Sequence, residues 1–305
     1  MSSTFATHSD SSVPFTPRVE APPKPLESNP SDQLVITRIE PSHGFSLRDL
    51  VQLWRYRELW FFLGWRDVAV RYKQSVLGVM WAIIQPLSTM LVFAAFLGRL
   101  GGLNTGIQDY ALFVFAGVMP WTFFSNAIIA AGNSVVGNER LITKIYFPRL
   151  LVPLSSMMAP FFDFLVSIGL LVVLMFWYQV APGWNLLLFP FLVFMLTVAA
   201  TGVGLFLSAL IVAQRDFKFV LNFGVQLWMF ATPCIYLSPN IFGPLASNWL
   251  PLNPAYGLIL NIRATLLNGT IDWYALGTSS AVSIIMLIIG LFYFRRVERT
   301  FADVI

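Results

Sequence analysis

Six long apolar runs, near residues 76–100, 110–132, 151–178, 185–212, 218–237 and 273–294, decide what this 305-residue chain can fold into. A helix needs about 20 predominantly apolar residues to cross a bilayer core, and each run supplies that length. A water-soluble fold would have to bury all six at once. Only 11% of the residues are charged and 57% are hydrophobic, against about 25% charged in an average soluble domain. The expected fold class is therefore an all-α integral membrane protein with six transmembrane helices, since helices satisfy every backbone group within lipid. Pro86, Pro120, Pro160, Pro190 and Pro233 fall inside five of the runs. A proline inside a span kinks it and frees a carbonyl, which favours a bundle with a cavity, although kinks also serve packing.

Charge sets the orientation. Seventeen of the 19 Lys and Arg lie in segments that share one side when the N-terminus is cytoplasmic; only Arg99 and Arg263 lie in the others. Setting aside the first 44 residues still leaves 14 against two. The positive-inside rule then predicts a multi-pass protein of the plasma (inner) membrane with both termini cytoplasmic, 295–305 forming the C-terminal one. The first 44 residues contain no apolar core of signal-peptide length.

Residues 1–45 read as a disordered cytoplasmic tail, rich in Ser and Pro through residue 33. Residues 46–75 read as an amphipathic helix. Ser46 and Asp49 make an N-terminal capping pair, and Leu47, Leu50, Val51 and Trp54, then Phe61, Trp65, Val68, Ala69 and Tyr72, form stripes at helical spacing. Its longest apolar core, LWFFLGW, is too short to span, so Trp and Arg side chains place it flat in the membrane interface. The alternative is a packed helix of a small cytoplasmic domain. Residues 238–272 are external by the charge count, yet apolar and proline-rich. They read as short re-entrant helices, allowed only where they pack on protein or line a cavity, or else as a cap lying on the bundle.

No phosphate-binding G-x-x-x-x-G-K-[ST], HExxH or GxSxG motif occurs. Both histidines, His8 and His43, sit in the polar N-terminal region, and Cys234 is the single cysteine. No metal site, cofactor or catalytic residue is expected on this chain. Asp163 is the one acid well inside a span, with no buried basic partner expected. Such acids are functional candidates, but a lone carboxylate is read here as a structural hydrogen-bonding group. Trp121, Phe123, Phe124 and Trp228 lie deep within their runs. They could face lipid, or line a neutral aromatic path suited to sugar rings, with Asn126, Asn222 and Gln226 meeting hydroxyls.

Four stretches carry a family likeness: WRDVAVRYKQSVLGVMWAIIQP, NERLITKIYFPRLLVPL, LNPAYGLILNIRATLLNG and RRVERTFADVI. Together, with their spacing over residues 46–305, they resemble the permease subunits of type-2 ABC exporters for polysaccharides, the O-antigen, teichoic-acid and capsule group. The long N-terminal tail departs from that pattern. The resemblance implies a second copy of the chain, two separate ATPase subunits that hold ATP and magnesium, export of a lipid-linked polysaccharide, contact with membrane lipids and no nucleic-acid partner. A permease for a small lipid or drug, and a membrane glycosyltransferase, are the rival readings.

The resemblance also implies roles for two segments. The 46–75 helix, with Trp54, Trp65, Arg66, Arg71 and Tyr72, would act as a gate at the cytoplasmic entrance. The connector 138–148 would dock into the ATPase through Glu139, Arg140, Leu141, Lys144 and Ile145. Its residues fit an amphipathic helix, with Leu141, Ile142, Ile145 and Tyr146 on one side and an end at Phe147-Pro148, because a residue before proline disfavours the helical region. The alternative is that its charges serve orientation alone.

Overall fold

The computed structural model describes residues 53–73, 78, 80–96, 110–181, 183–232, 234 and 249–298. The chain divides into Met1–Pro41 and Ser42–Ile305; the first unit lies outside the described residues, as do the Ser46–Asp49 pair, residues 238–248 and residues 299–305. All of the described residues belong to the second unit.

Among the described residues there are helices and no strands. In chain order they are α1 (Arg57–Lys73), α2 (Met80–Phe93), α3 (Tyr110–Gly137), α4 (Glu139–Lys144), α5 (Leu151–Ser156), α6 (Met158–Trp177), α7 (Phe189–Ala213), α8 (Phe217–Ala231), α9 (Tyr256–Leu266) and α10 (Trp273–Glu298). Four helical runs are long and apolar enough to cross a membrane: Tyr110–Gly137, Leu151–Trp177, Trp184–Ala213 and Trp273–Glu298. Two of the six expected spans are shorter, Met80–Phe96 and Phe217–Ala231. At 1.5 Å per residue they reach only about 22 to 26 Å, less than the hydrocarbon core of about 30 Å.

α3 is the central element, packed against α2, α5, α6, α7, α8 and α9. Its sequence, YALFVFAGVMPWTFF at the start, is apolar all round, as a helix enclosed by neighbours must be. α7 and α10 form the most extensive pair. They touch through glycine: a Cβ on Gly202 would fall on the Leu287 backbone nitrogen, and one on Gly290 on the Gly202 carbonyl. Small residues at such crossings let backbones approach where lipid supplies no hydrophobic drive.

Proline placement corrects the expectation of five kinked spans. Pro86 and Pro120 do lie inside α2 and α3. Pro160 lies inside the run Leu151–Trp177, just past the break at Met157 between α5 and α6, as a kinked span requires, whereas Pro190 sits at the start of α7, where the missing N–H would have had no intrahelical partner anyway. Pro233 lies outside the described residues. A second apolar cluster closes the end of the bundle that carries α4, gathering Val135, Ile142, Phe147, Leu150, Leu205, Val212 and Phe294 from several helices and the connector after α4.

Candidate functional site

The connector after α3 holds a six-residue helix, α4, too short to be stable alone. Ile142 anchors it, buried beside Phe147 in the second cluster, while Leu141 is half-buried. The helix stops at Lys144 and the chain is already extended at Ile145 (φ −127°, ψ 131°), two residues before the expected end. Leaving the helix there lets Phe147 turn back into the core. The same geometry splits the predicted apolar stripe: Ile145 and Tyr146 point outward, Tyr146 at 82% exposure. Glu139, Arg140 and Lys144 are also exposed. An open groove of 620 Å³ runs between α4 and α1, lined by Arg66, Val136, Gly137, Asn138, Glu139, Arg140, Leu141, Lys144 and Ile145.

Arg149, the fourth charge of the connector, has a different task. Its Nη1 donates to the Glu298 carbonyl at 2.6 Å, placing a cation at the C-terminal end of α10, where the helix dipole favours one.

α1 crosses α5 and α6 through Leu63, Gly64 and Val68. A Cβ at Gly64 would stand 2.7 Å from the Met158 sulfur, so glycine sets how closely α1 lies. This face only partly matches the predicted stripe. Phe61 and Trp65 stack on each other with centroids 6.1 Å apart and remain exposed together with Trp54 and Phe62. They border a second open groove, almost wholly apolar, with Arg57 and Glu58 at its edge; the Arg57 guanidinium lies 5.6 Å from the Trp54 ring centre.

The polar groups of α1 make contacts that the sequence did not show. Arg66 donates to Asp67 Oδ1 and, from Nη2, to Asn138 Oδ1 at 2.9 Å. Arg71 and Tyr72 both donate to Asp163, one to each carboxylate oxygen, and the Tyr72 ring packs on Phe162 at 5.5 Å. Asp163 is thus paired, which corrects the expectation of a lone acid. The pairing was missed because Arg71 and Asp163 are 92 residues apart.

The deep aromatics are also placed differently. Trp121, Phe123 and Phe124 are buried on α3, facing neither lipid nor an open path within this chain. Trp228 meets Trp121 and Phe124 edge-to-face with centroids 6.4 and 5.4 Å away, Trp121 and Phe124 are tilted at 5.7 Å, and Phe123 packs on Phe164 at 5.0 Å. Asn126 is half-buried, whereas Asn222 and Gln226 are exposed on α8, among Phe219, Phe223, Leu227 and Phe230.

At the opposite end of α3 from α4, the side that the charge count makes external, Arg263 is enclosed by protein. It is 4% exposed. Its guanidinium lies 4.0 Å from the Phe113 ring centre and donates to the Cys234 carbonyl at 3.4 Å. α9 is further tied to the start of α10 by Asn261, which donates to the Asp272 carbonyl and accepts from its backbone N–H. No cluster of three potential metal ligands occurs among the described residues.

A family model for ABC-2 type transporters matches residues 58–267. The O-antigen export system permease protein RfbA of Klebsiella pneumoniae is 29% identical over 245 residues, covering 79% of this chain and 92% of that protein. A Myxococcus xanthus protein of the same name is 29% identical over 243 residues, 79% of this chain and 93% of its own length. The matched region takes in the α4 junction, α9 and nearly all of α1, and it covers more than half of the sequence: the chain is a multi-pass membrane protein belonging to the ABC-2 type transporters.

Proposed function

We propose that the chain is the permease subunit of an ATP-driven exporter that moves a lipid-linked, O-antigen-like polysaccharide from the cytoplasm across the inner membrane. In this reading two copies pair, two separate ABC ATPase subunits bind and hydrolyse ATP with magnesium, and this chain performs no covalent chemistry. The observation that carries it is α4, a short helix held by one buried side chain while its charges, Ile145 and Tyr146 are exposed. Relatives named as O-antigen export permeases support the substrate class. The charge asymmetry supports a cytoplasmic position for α4 and both termini, where an ATPase would meet them.

α4 is then the docking helix, and α1 the helix at the cytoplasmic entrance with its aromatic face in the lipid headgroup layer. The exposed face of α8, with Asn222 and Gln226 among phenylalanines, would border the polymer path between the two copies. The buried Trp121, Phe123 and Phe124 serve that path only as packing behind it.

The test is a deletion strain complemented with the tagged chain. Cytoplasmic accumulation of lipid-linked polymer on deletion, surface polymer on complementation, and an ATPase subunit copurifying with the chain are the expected results. Normal surface polymer with altered drug or phospholipid efflux would replace the substrate class. Sugar transfer by the purified chain without an ATPase would replace the transporter reading by an enzyme.

A further inference from the structure

α1 is fastened at two points along its length, and each point belongs to a different part of the bundle. Near its middle, Arg66 Nη2 holds Asn138 Oδ1 at the joint between α3 and α4. At its end, Arg71 and Tyr72 take the two oxygens of Asp163 on α6. Five residues separate Arg66 from Arg71, about 7.5 Å along a helix, so one rigid rod bridges both anchors. Using both carboxylate oxygens fixes the roll of the rod about its axis as well as its position. A paired carboxylate in a largely apolar span is also hard to replace, because an acid stripped of its partner there is strongly disfavoured.

We propose that Asp163 is a positioning residue for export: through Arg71 and Tyr72 it pins the far end of α1, so that a displacement of α4, passed on through Asn138 and Arg66, turns α1 instead of dragging it along the bundle. The inference rests on the docking role proposed for α4. Without the pin, α4 can still move with an ATPase, but the movement is lost before it reaches the end of α1 that carries Arg71 and Tyr72. Asp163 touches neither polymer nor nucleotide; it acts by holding α1.

The experiment uses the full chain with its ATPase subunit. Asp163→Ala and Asp163→Asn should lower polymer exported per ATP hydrolysed by about tenfold, within the range that coupling between sites spans, while ATPase recovery and ATP hydrolysis stay within about twofold. Tyr72→Phe, which removes one donor and keeps the ring, should show a smaller loss. Exchanging the charges, Arg71→Asp with Asp163→Arg, should regain export over Asp163→Ala.

A readout independent of export separates failure of the pin from failure of the transporter reading. In a Cys234→Ser background, Lys73→Cys and Phe162→Cys flank the two partners and should be joined by a short bismaleimide, less completely once Asp163 is Ala. Undiminished cross-linking in that variant, or export and ATPase assembly falling in parallel with no regain on charge exchange, would overturn the pin. Diminished cross-linking in a chain that exports no polymer would leave the pin standing as geometry, overturn its role in export and remove the proposed substrate.

Discussion

Arg66 reaches across 72 residues of sequence to donate to Asn138 Oδ1 at 2.9 Å. Asn138 occupies the N-cap of α4, yet its side chain does not cap that helix. The Oδ1 is taken by Arg66, and the Nδ2 donates back to the Ser134 carbonyl of α3. A cap is worth about 1 kcal/mol, and α4 forgoes it for a link to α1.

The link has a measurable size. Hydrogen bonds to charged groups contribute about 1.5–3 kcal/mol, but the Arg66 side chain is 40% exposed, so solvent screening reduces this one. Arg66→Ala, Asn138→Ala and the double variant should give a coupling energy of about 1 kcal/mol in a double-mutant cycle on the unfolding of the purified protein. Strictly additive losses would show the contact to be incidental.

The outward side of α4 should behave unlike its inward side. Arg140→Glu with Lys144→Glu reverses two exposed charges, and ATPase copurification should weaken most at low salt, since such charges are screened within about 8 Å at physiological ionic strength. Tyr146→Ala should weaken docking with little effect on bundle stability, because surface substitutions usually cost within about 0.5 kcal/mol. Ile142→Asp should destabilise the bundle itself at any salt concentration. Equal stability losses in Tyr146→Ala and Ile142→Asp, read by thermal unfolding in detergent, would mean that both side chains pack inward in solution.

These contrasts show what was legible in the sequence. The four long runs and a short helix at α4 were, because a bilayer imposes a length and apolar spacing marks a helix. Which apolar face packs inward was not. Phe61 and Trp65 stay exposed, as a helix in the membrane interface requires, but Val68 of the same stripe is buried, and Gly64, almost without side chain, marks the contact. Trp121 could not be told from a lipid-facing residue because a span ringed by six elements and a span at the rim have the same composition. Asp163 found its partners on a helix that precedes it by some 90 residues, where no local pattern reaches.

The α7–α10 crossing should tolerate no side chain. Gly202→Leu forces the crossing apart at the Leu287 backbone, and overpacking of this kind costs about 1–3 kcal/mol or more. Gly169, on the long span α6, has nothing within 4 Å of a built Cβ, so Gly169→Leu is the matched control. The yield of folded protein by size-exclusion fluorescence should collapse for the first and hold for the second. Equal yields would mean that the two helices separate freely.

Arg263 sets two large effects against each other. Its guanidinium is enclosed, with the Phe113 ring at 4.0 Å and the Cys234 carbonyl as its hydrogen-bond acceptor, and among the described residues no carboxylate is paired with it. A desolvated cation–π contact is worth about 2 kcal/mol, whereas taking a charge out of water costs several kcal/mol per ion. Among the described residues, one long hydrogen bond and one ring are its partners, and they offset only part of that cost. Replacing the charge by an apolar side chain of similar length should therefore be close to neutral: Arg263→Met should unfold within about 1 kcal/mol of the parent. Arg263→Ala removes the stem as well and leaves a void between α3 and α9, for which large-to-small core changes predict a loss of about 2–5 kcal/mol. Thermal unfolding of the three purified proteins decides between volume and charge. A loss in Arg263→Met as large as in Arg263→Ala would show that the cation itself, and not the space it fills, holds α9 against α3.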